Sequence, residues 1–287
     1  MLPLSTYESE TKPDWCPGCG DFGVLNGLKT ALGQLNIPSH KVLVVSGIGC
    51  SSNLPGFINA YGFHSLHGRA VAVATGARLA NHDLHVVVVG GDGDGYGIGI
   101  GHFIHAMRRN LNLTYIVMNN EIYGLTTGQL SPTSELNMVT KSSPAGSYEQ
   151  PINPIALAVV SGATYVARGF SGDPKHMAQI IENGIKHKGF SLVDVFSPCV
   201  TFNKQNTYEF FRKRVYRLED EKHPTDHFQK AIEKSQEWGE RIPIGLFYKN
   251  ERLTYEDQDS TLKAGPLAHQ KLGLSEKEQK ELVASFI

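Results

Sequence analysis

The sequence predicts an α/β fold, a mostly parallel sheet flanked by helices, on three observations. The run His85-Val86-Val87-Val88-Val89 is uniformly suited to a strand and stops in Gly90-Gly91, as a strand buried on both faces does when it delivers a loop at its C-terminal end. A second strand-like run at 113–118 follows a stretch, 97–110, long enough for a crossover helix with Ile98, Phe103, Ile104 and Met107 as its apolar positions. Two more apolar runs, 42–45 and 192–196, also exit into loops carrying glycine or proline. Strands joined by helices in this way lie parallel.

Parallel sheets bind ligands at the carboxyl ends of their strands, so the loop after residue 89 is where chemistry is expected. No Gly-Lys-Ser/Thr follows it, which removes the P-loop. The dinucleotide fingerprint G-x-G-x-x-G fails by register, because its third glycine falls on Tyr96, Ile98 or His102. What remains is Asp92, a carboxylate among glycines, suited to a divalent cation that bridges to a diphosphate. Mg²⁺ takes one or two carboxylates and fills its octahedron with phosphate oxygens and water. The next strand ends in Asn119-Asn120, so adjacent strand tips would present Asp92 and Asn120 to one cation. Gly91-Asp92-Gly93 with Asn119-Asn120 resembles the thiamine-diphosphate signature, whose spacing fits Asp92 and leaves Asp94 to the diphosphate loop or to a helix cap.

Composition narrows the class. The chain has 287 residues, a formal net charge of -1 and 40% hydrophobic residues. Such a balance gives no electrostatic footprint for nucleic acid or an anionic membrane. The apolar runs are too short to span a bilayer, and residues 1–14 lack a signal pattern, so a cytoplasmic protein is expected. Four cysteines are present: Cys16 and Cys19 in a C-x-x-C turn, Cys50 in the loop after 42–45, and Cys199 just past 192–196. Disulfides are disfavoured in the cytoplasm. Four thiolates gathered at strand exits suit an Fe–S cluster or a Cys₄ zinc site, and spacing does not separate the two.

The thiamine-diphosphate signature is one part of a larger pattern. The wider set is more specific: Trp15-Cys16-Pro17-Gly18-Cys19-Gly20, Gly49-Cys50-Ser51-Ser52, His67-Gly68-Arg69, Tyr123-Gly124-Leu125-Thr126, Gly128-Gln129, Ser131-Pro132-Thr133 and Ser197-Pro198-Cys199. These motifs run in order from residue 14 to about 203, and together they resemble the β subunits of 2-oxoacid:ferredoxin oxidoreductases, most closely the 2-oxoglutarate branch. The resemblance implies one 4Fe-4S cluster on Cys16, Cys19, Cys50 and Cys199. It implies Mg²⁺ on Asp92, Asn120 and the carbonyl of Ile122, and thiamine diphosphate lined by Ile48, Gly49, Cys50, Ser51, His67, Gly93, Asp94, Gly124 and Leu125.

The implied activity is coenzyme A-dependent oxidative decarboxylation of 2-oxoglutarate to succinyl-CoA and CO₂, or its reverse, with electrons leaving to ferredoxin. Pyruvate or an aryl pyruvate is the alternative substrate, and a non-catalytic Cys₄ zinc module the remote one. Only the diphosphate-binding half of a thiamine enzyme is present, so an α subunit is expected to bring the pyrimidine-binding half and its activating glutamate, in an αβ or (αβ)₂ assembly. Two positions depart from the family pattern. Asn53 and Thr127 stand where many members carry lysine, which makes them the candidates for tuning 2-oxoacid and coenzyme A recognition. Residues 1–203 are expected to form the thiamine-diphosphate and Fe–S domain. Residues 204–287 are expected to form an extension covering the partner or the cluster, with an amphipathic helix at 229–241, a short strand at 245–248 and a capped helix after Ser275.

Overall fold

A computed structural model of the chain describes residues 1–271 and 273–286. Among these residues ten strands form: β1 (Val42–Ser46), β2 (Tyr61–His64), β3 (His85–Gly91), β4 (Thr114–Asn119), β5 (Ile122–Tyr123), β6 (Gln129–Leu130), β7 (Tyr165–Phe170), β8 (Ser191–Phe196), β9 (Val215–Arg217) and β10 (Ile242–Lys249). Eight of them make one sheet in the order β2-β1-β3-β4-β8-β7-β10-β9, and β5 and β6 form a separate hairpin. From β2 to β7 every pair is parallel, and β10 runs antiparallel to β7. The connections leave β1 toward β2 on one side and toward β3 on the other. That reversal opens a crevice beyond the carboxyl ends of β1 and β3, where such sheets bind ligands.

The expected strands are present because their residues are apolar on both faces. Val87, Val89, Ile116, Met118, Val193 and Val195 pack on one side, against α1 (Gly20–Gln34) and the helix Pro174–Lys186. Val86, Val88, Tyr115, Val117 and Leu192 pack on the other, under the helix Ala70–Ala80 and the helix Ile100–Arg109. The expected helix at 97–110 is divided. Residues 93–98 wind as a wide π-type turn and the α-helix begins at Ile100, so Phe103 and Met107 are buried while Ile98 is exposed.

The segment after residue 203 joins the same sheet. The strand expected at 245–248 is β10, longer at both ends because it pairs with β7 and with β9. The amphipathic helix stops at Ser235, where Ser235 Oγ donates to the Ile232 carbonyl at 2.6 Å, and the chain turns so that Trp238 meets Phe196 edge-on at 5.8 Å. The last helix, Glu276–Ala284, carries the expected capping box of Ser275 and Glu278. No helix among the described residues is long and apolar enough to cross a membrane.

Beyond the amino ends of the strands, His187 Nε2 lies 2.8 Å from Thr164 Oγ1, which donates to Asn110 Oδ1 at 2.8 Å. Thr164 spends its proton on Asn110, so it accepts from a neutral His187 carrying its hydrogen on Nε2. Burial, with Lys249 nearby, pushes the imidazole from 6.5 down to about 4. The unfolded chain binds this proton as the pH falls through 6.5, whereas the folded chain refuses it until about 4. Stability therefore declines across that window on acidification. Chemical denaturation at several pH values should show His187→Gln with a flatter profile between these limits than the parent chain. An unchanged slope would assign the acid lability to other groups.

Candidate active site

β3 and β4 are adjacent with Gly91 opposite Met118, so Asp92 and Asn120 leave neighbouring strand tips. Asp92 is buried. Its Oδ2 accepts from Ser131 Oγ, and Thr133 Oγ1 lies 2.6 Å from the same oxygen and 2.9 Å from Asn119 Oδ1. Burial pushes the Asp92 carboxyl up, and the two hydroxyls work against that shift. At the other tip, Asn120 Oδ1 accepts from the Ile122 amide at 3.1 Å and the Asn120 carbonyl accepts from Asn203 Nδ2 at 3.0 Å. Glu121 between them has φ of 57°, a left-handed backbone that non-glycine residues adopt only under constraint.

Asp94 points inward. Its Oδ1 accepts from the amides of Ile48 at 2.9 Å and Gly68 at 2.7 Å, and His67 Nδ1 stands 2.8 Å from it. Three segments (47–51, 67–68 and the π turn) are thereby tied to one carboxylate. Gly47 lets the tie close, because a Cβ there would sit 2.0 Å from Asp94 Oδ2. Gly93 is covered by Tyr123, whose hydroxyl donates to the Gly93 carbonyl at 3.1 Å. Leu125 and Thr127 are exposed on the loop between β5 and β6.

Cys16, Cys19, Cys50 and Cys199 all line one cavity of about 260 Å³, with Trp15, Asn53, Asn120, Gly124, Leu125 and Phe202. Trp15 Nε1 donates to the Cys50 carbonyl at 2.7 Å and the Phe202 amide to Cys199 Sγ at 3.5 Å, which orients two of the four. Among the described residues no three His, Cys, Asp or Glu side chains converge at single-ion range. The sulfurs surround a space instead. Gly124 joins this cavity to the metal loop: a methyl placed on it would lie 3.6 Å from Cys199 Sγ and 3.8 Å from both Cys50 Sγ and Asn120 Nδ2. Burial, then Asp21, pushes the Cys50 thiol up to about 11, and Cys19 rises further for the same reasons. The thiolate is the ligating form, so a metal held by Cys19 and Cys50 would displace their protons.

Several buried polar residues here were not singled out from the sequence. Asp21 accepts from Ser197 Oγ at 2.7 Å, and burial raises its carboxyl to about 6. Asp194, in the middle of β8, accepts from Tyr96 at 2.9 Å, Asn119 at 3.2 Å and Arg168 Nε at 3.1 Å. Glu121 is buried with Oε2 unpartnered, and burial pushes it well above the usual carboxylate range. A charge inside the run Leu192-Val-Asp-Val-Phe196 was the visible signal, since apolar strands seldom bury one unpaired. Asp92, Asp94, Asp194 and Glu121 share this region with the Arg168 guanidinium, and that surplus of carboxylates suits a divalent cation.

Comparisons with known proteins give the family. Residues 36–195 match the family described as thiamine pyrophosphate enzyme, C-terminal TPP binding domain. Residues 199–264 match the family that describes the C-terminal part of the pyruvate ferredoxin oxidoreductase beta subunit. The chain is 52% identical over 258 residues to a 2-oxoacid:ferredoxin oxidoreductase subunit beta of Saccharolobus solfataricus, covering 85% of each. It is 39% identical over 245 residues to the 2-oxoglutarate synthase subunit KorB of Methanocaldococcus jannaschii, covering 85% of this chain and 90% of that one. Among solved structures, the 2-oxoglutarate:ferredoxin oxidoreductase from Magnetococcus marinus, with 2-oxoglutarate, coenzyme A and succinyl-CoA bound, aligns with a TM-score of 0.91 at 45% identity, over 98% of this chain and 96% of that one. A parallel sheet with Asp92 and Asn120 on adjacent tips and a four-cysteine cavity alongside therefore has a family: the chain belongs to the β subunits of the 2-oxoacid:ferredoxin oxidoreductases, on the fold of the thiamine pyrophosphate enzymes.

Proposed function

We propose that the chain, together with an α subunit, performs the coenzyme A-dependent oxidative decarboxylation of 2-oxoglutarate to succinyl-CoA and CO₂, or the reverse, and passes electrons to ferredoxin. The observation that carries this is the position of Gly124, against Cys50, Cys199 and Asn120 together. It makes the cysteine cavity and the metal loop immediate neighbours. When bound, thiamine diphosphate supplies the nucleophile and electron sink for decarboxylation, and a 4Fe-4S cluster the one-electron acceptor.

This chain's residues hold and orient those groups. Asp92, Asn120 and the Ile122 carbonyl hold Mg²⁺. Ile48, Gly49, Cys50, Ser51, Gly93, Gly124 and Leu125 line the cofactor, together with His67, whose Nδ1 stands 2.8 Å from Asp94 Oδ1. Cys16, Cys19, Cys50 and Cys199 hold the cluster, for which a space of about 260 Å³ is ample where one zinc ion would draw the sulfurs to about 2.3 Å from itself. Asn53 borders both this cavity and a second one of about 490 Å³ that reaches His64, and with Thr127 it tunes coenzyme A and 2-oxoacid recognition. The 2-oxoglutarate reading is supported by the relatives named for that substrate.

The exposed edge at β2 is the face that the α subunit shields. Tyr61 and Phe63 are 57% and 51% exposed there, with the exposed Leu66 just past the strand end, and an uncovered apolar edge strand invites pairing. Residues 1–203 hold the chemistry; after them β9 and β10 extend the sheet beyond β7, and residues 252–269 return to Asn110, Arg78 and Asp83.

Anaerobic co-purification with the α subunit tests the whole reading. A brown complex that bleaches on reduction, and that reduces a viologen only when 2-oxoglutarate and coenzyme A are both added, is the expected result. Reduction with pyruvate and none with 2-oxoglutarate would overturn the substrate. A colourless complex holding zinc would overturn the electron path.

A further inference from the structure

We propose that Ser131 and Thr133 set the metal preference of the Asp92 site, holding the carboxylate to one-oxygen coordination and so selecting a small octahedral dication over a larger one. The inference rests on the reading of Asp92 and Asn120 as metal ligands. Both hydroxyls converge on Asp92 Oδ2, Thr133 at 2.6 Å, and neither bonds Oδ1. A carboxylate with one oxygen occupied twice over has a single oxygen to offer.

The same tight turn fixes the distance between the two strand tips. Ser131-Pro132-Thr133-Ser134 closes with the Ser134 amide donating to the Ser131 carbonyl at 3.1 Å and the Ser131 amide donating to Ser134 Oγ at 2.8 Å. From there Ser134 Oγ donates to the Glu121 carbonyl at 2.6 Å, and Thr133 Oγ1 reaches Asn119 Oδ1 at 2.9 Å. The end of β3 is thus fastened through four residues to the end of β4, on both sides of Asn120. All of these residues except the proline are buried, so water does not substitute for the hydroxyls.

Mg²⁺ demands near-ideal octahedral geometry and commonly takes carboxylates through one oxygen, whereas Ca²⁺ accepts six to eight oxygens in looser arrangements, bidentate carboxylates included. A rigid, one-oxygen Asp92 favours the first. A carboxylate free to rotate and a gap free to widen favour the second.

The test uses the αβ complex stripped of metal and supplied with thiamine diphosphate, titrated with Mg²⁺ and separately with Ca²⁺ by calorimetry. In Ser131→Ala with Thr133→Val, Mg²⁺ affinity should fall about 10–100-fold, as loss of partners behind a metal ligand does. Ca²⁺ affinity should fall far less, shifting the Mg²⁺-to-Ca²⁺ ratio by about tenfold or more. Thr133→Ser, which keeps the hydroxyl, should return the ratio to that of the parent, and Thr133→Val alone carries the comparison if the double variant does not fold. Equal losses for both ions, or none, would overturn the proposal, because a merely structural role moves both together. A parent complex that retains thiamine diphosphate with no dependence on a divalent cation would instead sink the Asp92–Asn120 reading, and the inference with it.

Discussion

Asp92→Ala is expected to abolish retention of thiamine diphosphate by the αβ complex while leaving the cofactor-free chain at least as stable as the parent. The two effects have one origin. Asp92 is buried among Asp94, Asp194 and Glu121 with only uncharged hydrogen-bond donors, so in the empty chain burial pushes its carboxyl up. A buried anion without a cation costs free energy. Alanine relieves that cost, and Thr133 still has Asn119 Oδ1 at 2.9 Å and Ser131 still has Ser134 Oγ at 3.4 Å. With metal and cofactor bound the sign reverses, because the ligand itself is gone. Its loss should exceed the roughly 10–100-fold drop in metal affinity seen when only a supporting partner is removed. Differential scanning calorimetry of stripped and loaded complexes reads both halves. A variant that keeps the cofactor, or an empty variant several degrees less stable than the parent, would contradict this account.

Gly20→Ala should be the most damaging single methyl in the chain for the cysteine cavity. Its Cβ would lie 2.4 Å from Ser197 Oγ and 2.6 and 2.7 Å from the Ser197 backbone, and α1 has no room to retreat because its other face is buried against the core. Overpacking of this kind costs about 3 kcal/mol, more where backbone must move. The contact is also where two cysteine-bearing segments meet. The Gly20 amide donates to the Pro198 carbonyl at 3.2 Å, Cys19 precedes it and Cys199 follows the proline. Pushing α1 away therefore parts Cys19 from Cys199. Iron content per chain should fall along with the melting temperature, and to a greater degree than in an equally destabilised variant elsewhere in the core. Full iron content in a folded Gly20→Ala protein would show that the close approach is not needed.

The central strands were legible because burial on both faces leaves an uninterrupted apolar signature, as in residues 86–89 and 115–118. Strand exits put Asp92 and Asn120 on neighbouring tips, and the resemblance's motif spacing chose Asp92 over Asp94. β7 escaped notice although it is buried along its whole length, because Arg168 and Gly169 interrupt its apolar run, and the arginine is tolerated through Asp194 on the neighbouring strand. Asp194 lies 26 residues away and the rings that the arginine also meets, Phe196 and Phe247, are farther still, so no local pattern carries the compensation. Ile98 was misplaced for a different reason: a π turn and an α-helix share glycine and aliphatic residues, and the wide turn is imposed by what Asp94 and Tyr123 grip. The hydroxyls of Ser131 and Thr133 look like ordinary turn residues until the fold brings them to Asp92.

The strand order has a consequence for biogenesis. β8 lies between β4 and β7, and the fourth cysteine leaves directly from its tip. During translation the three earlier sulfurs emerge in a half-built sheet with an open slot, and nothing brings a fourth beside them until that late strand has threaded into place. Loading of the proposed cluster would wait for the first 199 of 287 residues, and a nascent chain stalled before residue 191 would hold three of its sulfur ligands without the fourth.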